Sequence, residues 1–365
     1  MAKLPQDIVA DILSRLPVKS LLRFKCVSKP WFSLISDSQF AKTQLKQAKS
    51  DCSGNIRRVL LTTSPLQSID YEAFGFGDGS DSNITVQLGY PGEKVPEDDA
   101  DIIGSCNGLV CIDFDSTNMV LWNPSTRVSR ELPRPAPFPE QGTFFDGLGY
   151  DTSGDDYKVI RGFISTIGNG NVSRETKVQV FSLKNNSWKE IQYFHARIDI
   201  YGLGVLSNGK LHWLGILENG SNKNYAIVSF DLTEERFTEV ASLPEHIDQT
   251  TSVVNLRNWG DRIVVFNDQR DGSFEAWEMK ESSWTRLFSI SRDKFPEYEY
   301  YPTLIGFTKD GKFLLGSDGR ELVFYSTKED TFRYFEIYDE WPWFEGVIYE
   351  ESLVSPIVDE ASKFK

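Results

Sequence analysis

Gly209-Lys-Leu-His-Trp213, followed by Ser229-Phe-Asp-Leu-Thr-Glu-Glu-Arg-Phe-Thr-Glu-Val240, is the stretch on which the fold turns. The first segment is a short apolar strand opened by a glycine turn. The second is an apolar strand, a polar turn and then an aromatic or apolar strand, the pattern of an antiparallel hairpin. Both recur. The first has copies at Gly108-Leu-Val-Cys-Ile112, Asp156-Tyr-Lys-Val-Ile160, Asp261-Arg-Ile-Val-Val265 and Gly311-Lys-Phe-Leu-Leu315. The second has copies at Leu121–Leu132, Val180–Ile191, Ala276–Leu287 and Phe324–Phe335. Starts at 108, 156, 209, 261 and 311 are 48, 53, 52 and 50 residues apart.

A β repeat of about 50 residues is the period of a kelch-like propeller blade, a small antiparallel sheet whose faces are buried by its neighbours. Five blades are explicit. A sixth can be assembled from Arg58–Thr63, Ile84–Leu88 and the C-terminal Gly346–Val354, which pairs the two ends of the domain and removes its open edges. The expected fold is therefore mainly β with a small α module, the β part a six-bladed propeller.

Working outward to the N-terminus, the period changes. Asp7–Leu16 places Ile8, Ile12, Leu13 and Leu16 on one helical face, with Pro5 before it and Pro17 ending it. Val18–Val27 continues through Leu21, Leu22 and Phe24, and Ser28 caps a third helix whose apolar face is Trp31, Leu34 and Ile35. Three helices in about 45 residues cannot enclose a core of their own. Their apolar residues must face a partner or pack on the β domain.

Charge divides the chain at the same place. Of 39 Lys+Arg and 53 Asp+Glu, residues 1–50 hold nine and three, a net of +6, leaving 30 against 50, a net of −20, for the rest. A basic head on an acidic body predicts two modules with different partners, and the acidic body argues against nucleic acid as its ligand. Four cysteines with no CxxC pair (Cys26, Cys52, Cys106, Cys111) and three histidines (His195, His212, His246) give no zinc-ligand pattern. No run of 18 apolar residues predicts a membrane span, and the N-terminus lacks a signal-peptide pattern, so the expected location is cytoplasm or nucleus.

Leu4-Pro5, Ile12-Leu-Ser-Arg-Leu-Pro-Val-Lys-Ser-Leu21, Arg23-Phe24, Cys26-Val-Ser-Lys29 and Trp31 resemble the F-box. Gly104-Ser-Cys-Asn-Gly-Leu-Val110, Trp122-Asn-Pro-Ser-Thr-Arg127, Gly149-Tyr-Asp151, Asp156-Tyr-Lys-Val159, Gly209–Trp213, Ser229-Phe-Asp-Leu232 and Tyr349-Glu-Glu-Ser-Leu353 resemble the F-box-associated domain of plants. The resemblance implies an F-box over 1–45, a short helical linker over 46–55, an F-box-associated propeller over 56–356 and a tail over 357–365. It implies a non-catalytic role as the substrate-recognition subunit of an SCF-type ubiquitin ligase. The F-box would dock on a Skp-type adaptor, and through it reach a cullin scaffold and a RING-box protein, while the propeller selects a target protein. By family analogy Leu4, Pro5, Ile12, Leu16, Pro17, Leu21, Val27 and Trp31 face the adaptor or shape that interface. No cofactor is implied.

Catalytic alternatives find little in the residues. Three scattered histidines do not make a copper site, and His212 beside Trp213 reads as a packed histidine. Acidic pairs such as Glu97-Asp-Asp99, Asp155-Asp156 and Glu234-Glu235 read as solvated turns. Gly168-Asn-Gly-Asn-Val-Ser173 lacks the third glycine of a dinucleotide loop, and Asp78-Gly-Ser-Asp81 lacks EF-hand spacing. A propeller module acting outside ubiquitination and an S-locus-type protein recognising basic ribonucleases remain as alternatives. Target contact is expected on loops, with Gly162–Thr176, Leu217–Asn224 and Asp268–Gly272 as candidates.

Overall fold

The turns explain the repeat. Asn107 and Asn208 take positive φ (53° and 49°) and are followed by Gly108 and Gly209 at 84° and 74°, the pair of left-handed residues a two-residue hairpin requires. The register closes on them, with Cys106 opposite Leu109 and Ser207 opposite Lys210. In the outer hairpins a single left-handed residue recurs at Arg127, Asn186, Glu235 and Asp330. The computed structural model describes residues 5–50, 56–76, 84–93, 100–114, 118–139, 141–165, 175–193, 198–219, 222–244, 247, 254–269, 272–280, 283–294, 303–317, 321–337 and 344–358. They fall into two compact units, Met1–Leu132 with Val347–Lys365, and Pro133–Gly346.

The first unit opens with four helices, α1 (Gln6–Ser14), α2 (Val18–Phe24), α3 (Lys29–Ile35) and α4 (Ser38–Ser50). Pro5 and Pro17 occupy the N-cap positions of α1 and α2, where their missing N–H costs nothing. Ser28 caps α3 by accepting from the Trp31 N–H at 3.3 Å, and Asp37 accepts from the N–H groups of Gln39 and Phe40 at the start of α4. The three-helix expectation is corrected here: α4 is a fourth, running to Ser50 through the start of the stretch read as linker. A fifth helix, α5 (Tyr71–Phe76), lies between strands of the β part.

Two four-stranded sheets complete this unit. In one, Gly346–Glu350 lies beside Arg57–Leu61, followed by Gln67–Ile69 and Thr85–Gln87, so the first and last strands of the β region are neighbours. The other runs Asp101–Cys106, Leu109–Asp113, Met119–Trp122, Ser129–Glu131. Leu60, Leu66, Ile102, Val110, Ile112, Trp122 and Tyr349 form their shared core.

The second unit holds two further four-stranded sheets, Val254–Ser291 and Thr303–Glu336, and one of eight strands, Gly142–Ser242. The repeat spacing predicts six separate blades. The structure has instead four separate four-stranded sheets and the eight-stranded one, because Gly142–Asp151 and Ile198–Ser207 pair in parallel at Gly202–Phe145 and Leu203–Asp146. A register irregularity between Tyr201 and Val205, with Gly202 at φ 71°, bends the second strand at this junction. Trp213, fully buried, donates its Nε1–H to the Asp146 carbonyl at 2.8 Å. Phe145, Ile160, Val180, Leu211, Trp213, Val228 and Phe230 fill the core of this sheet.

Polar groups are buried in the same unit. Lys158 places Nζ 3.1 Å from Asp151 and 2.9 Å from Glu235, and donates to the Leu232 carbonyl at 2.5 Å. Burial alone would raise the Asp151 carboxyl, but the Gly154 N–H, Thr233 and Lys158 outweigh it and hold the group below its ordinary value. Glu235 is likewise held low against its burial by Lys158 and Lys189, and Lys158 is held high against its own burial by the two carboxylates.

Candidate protein-interaction site

α1 has two apolar sides. Leu13 is buried, with Val9 packed beside the same core, whereas Ile8 and Ile12, one helical turn apart, are 46% and 49% exposed. In α3 Ile35 is buried, with Trp31 and Leu34 packed against the core, while Phe32 is 57% exposed. Val27, in the turn before α3, is 60% exposed. Ile8, Ile12, Val27 and Phe32 are the exposed large apolar side chains among the described residues of the helices and their turns. Exposed Lys19, Arg23 and Lys29 belong to the same three helices, and Arg15 is paired to Asp11 at 3.1 Å.

The residues assigned by family analogy are dispersed over this module. Leu4 lies outside the described residues. Pro5 and Pro17 are exposed at helix starts. Ile12 and Val27 are exposed as above. Leu16 is half-buried, its carbonyl accepting from Gln44 Nε2 at 3.3 Å. Trp31 is half-buried and meets Phe24 edge to face at 5.6 Å. Leu21 is 0% exposed, part of the core with Leu13, Val18, Ile35, Phe40, Ala41 and Leu353, so its side chain can shape a contact surface but not touch a partner. Ile8 and Phe32 were not assigned to the site. For Phe32 the signal is in the sequence: it falls off the helix face set by Trp31, Leu34 and Ile35, which puts an aromatic ring on the solvent side.

The helices divide their apolar surface between two settings. Part of their apolar surface closes on α4 and Leu353, and part remains open to solvent.

The candidate loops fare differently. Of Gly162–Thr176, residues 166–174 lie outside the described residues. Leu217–Asn224 is largely hairpin, with strand pairing out to Asn219–Asn222. In Asp268–Gly272, Gly272 donates to the Gln269 carbonyl at 3.1 Å, and residues 270 and 271 lie outside the description.

The segments 168–173 and 78–81, His195 and His246 also lie outside it. His212 is buried, with Nδ1 2.8 Å from Ser229 Oγ and Nε2 3.4 Å from the Ser207 carbonyl, so both ring nitrogens have partners inside the sheet. Among the described residues no group of three His, Cys, Asp or Glu side chains could hold a metal ion, and no helix is long and apolar enough to cross a membrane.

Residues 1–43 match the F-box domain, and residues 58–356 match the F-box associated beta propeller domain. Neither is a catalytic family. The F-box protein CPR1 of Arabidopsis thaliana is 33% identical, over 91% of this chain and 85% of its own length. An F-box/kelch-repeat protein of the same plant is 29% identical over 79% of each chain. The plant's F-box/WD-40 repeat-containing protein 1 is 26% identical over 80% of this chain and 70% of its own.

Proposed function

Because the chain belongs to the F-box proteins that carry an F-box-associated β-propeller domain, we propose that it is the substrate-recognition subunit of an SCF-type ubiquitin ligase. One observation supports this above the others. Ile8, Ile12, Val27 and Phe32 stay open to solvent on a module that has otherwise closed its core. Exposed apolar anchors on a module of net +6 charge suit a protein partner with a buried contact centre and an acidic rim. That partner is a Skp-type adaptor, joined in turn to a cullin scaffold and a RING-box protein.

The β domain then holds a target protein beside the ubiquitin-charged conjugating enzyme. Its contribution is effective concentration rather than bond chemistry. The net −20 of residues 51–365 favours a basic target surface, which basic ribonucleases would also satisfy. Ubiquitination and proteasomal turnover place the protein in the cytoplasm or nucleus.

The experiment is capture of the purified chain by an immobilised Skp-type adaptor, beside an Ile12→Asp, Phe32→Asp double variant. The wild type binds, and the variant, with an unchanged melting profile, does not. Failure of the wild type to bind would sink the ligase reading and leave a propeller module with another use for its helices.

A further inference from the structure

Three motifs far apart in the sequence, Gly104–Val110, Trp122–Arg127 and Tyr349–Leu353, meet at one place in the first unit. Ser352, fully buried, donates its hydroxyl to the Asn107 carbonyl at 2.9 Å. Asn123, also fully buried, donates Nδ2–H to the carbonyls of Ser352 (3.1 Å) and Val354 (2.7 Å). Its Oδ1 accepts from the N–H groups of Ser125 and Thr126, so the amide is fully employed and its orientation fixed. Gly108, at φ 84°, lies so close that a Cβ there would fall 2.6 Å from the Glu350 carbonyl and collide with Ser352 Oγ.

The next residue faces the other way. Leu353 joins Leu13, Val18, Leu21, Ile35, Phe40 and Ala41 in the core of the helices. Lys49, near the end of α4, reaches Asn107 Oδ1 and Glu350 Oε2, each at 2.9 Å. Glu351 is bound to Arg58 Nε at 2.5 Å and donates its N–H to the Ile56 carbonyl at 2.6 Å.

We infer that Glu350–Val354 is an intramolecular clamp that seats the F-box helices at one fixed orientation on the adjoining sheets, with Ser352, Leu353 and Asn123 as positioning residues. A helical module without these contacts would be free to reorient, and the effective concentration of a bound target near the conjugating enzyme would fall with the volume swept. The clamp removes that freedom. Its consequence for ubiquitin transfer rests on the ligase reading, but the clamp itself does not.

The test is a pulsed EPR distance measurement on the full chain in a Cys26→Ser, Cys52→Ser background, with spin labels on Lys46→Cys and Glu131→Cys. The parent gives one narrow distance distribution. A Ser352→Ala, Leu353→Ser variant loses the narrow peak for a broad one while the β domain keeps its cooperative melt. A merely stabilising role would lower the melting temperature and leave the distribution narrow. A broad distribution in the parent, or a narrow one in the variant, overturns the proposal. Should the double variant fold poorly, Leu353→Ala, which keeps every hydrogen bond of Ser352, broadens the distribution; an unchanged width overturns the proposal equally. Adaptor capture by the parent is measured alongside, and its absence removes the ligase reading while the clamp stands.

Discussion

The ring of Trp213 fills the space that a side chain on Gly204 would need: a Cβ there would lie 2.7 Å from Cε2 of the indole. The same indole donates to the Asp146 carbonyl across the parallel junction that joins two blades into one sheet. Glycine at 204 is a packing requirement, because Trp213 is fully buried and has nowhere to retreat.

Gly204→Ala therefore destabilises the second unit by about 1–3 kcal/mol, the usual cost of overpacking a closed core. Urea unfolding followed by tryptophan fluorescence reads this as a lower midpoint at unchanged slope. A midpoint equal to wild type would show that the junction yields.

Leu21 and Phe32 separate stability from recognition. Leu21→Ala removes a fully buried side chain and lowers stability by about 2–5 kcal/mol. Phe32→Ala removes an exposed one, leaves stability within about 0.5 kcal/mol, and weakens adaptor binding by about 2 kcal/mol, roughly 30-fold, if Phe32 is a contact anchor. Calorimetric melting and adaptor titration together separate the two effects.

The Lys158 cluster gives a pH signature at both ends. Asp151 and Glu235 have depressed folded pKa values, so their stabilisation is complete above the unfolded carboxylate range, about pH 4–5, and is lost as pH falls through the folded values. Lys158 has a raised folded pKa, so its stabilisation is complete below about pH 10 and is lost as pH rises through the folded value. Melting temperatures taken from pH 2 to 6 fall less steeply in an Asp151→Asn, Glu235→Gln variant than in wild type. Parallel curves would place the acid dependence elsewhere.

Thiol chemistry reports on packing. Burial pushes the Cys106 thiol up to about 12, and Cys111 is buried too, whereas Cys26 is exposed. Iodoacetamide at pH 8 followed by peptide mapping finds Cys26 alkylated in the native chain, with Cys106 and Cys111 modified only in denaturant. Native alkylation of Cys106 would contradict its placement.

Sequence reading recovers the repeated hairpins, though not the number of separate blades, because hairpin signals are local. The Asn-Gly turn at 107–108 and the aromatics Trp188, Phe237, Trp284 and Phe332 near the start of four outer strands act within a dozen residues. The pairing of Arg57–Leu61 with Gly346–Glu350 was legible too, since a repeat short of strands at one end and long at the other points to it. The fused sheet was not, because it depends on Trp213 settling against Gly204 and on a bend near Gly202, contacts that no periodicity records. Leu217–Asn224 read as a loop from its polar Asn-Gly-Ser-Asn core, yet ladder pairing carries the strands almost to the tip. On the helices, the apolar positions were visible but not their sides. Whether Leu21 or Phe32 faces inward is decided by α4 and by Leu353 from the far end of the chain.

That last contact sets the order of events at synthesis. A member of the helices' core, Leu353, and the strand beside Arg57–Leu61 are made long after the helices themselves. Contacts of such long sequence separation are slow to close, and until they do the nascent chain displays apolar helix faces and an unpaired strand edge. A message cut short before Leu353 would yield an F-box without its seat. The fold thereby couples a fully seated F-box to translation through Leu353.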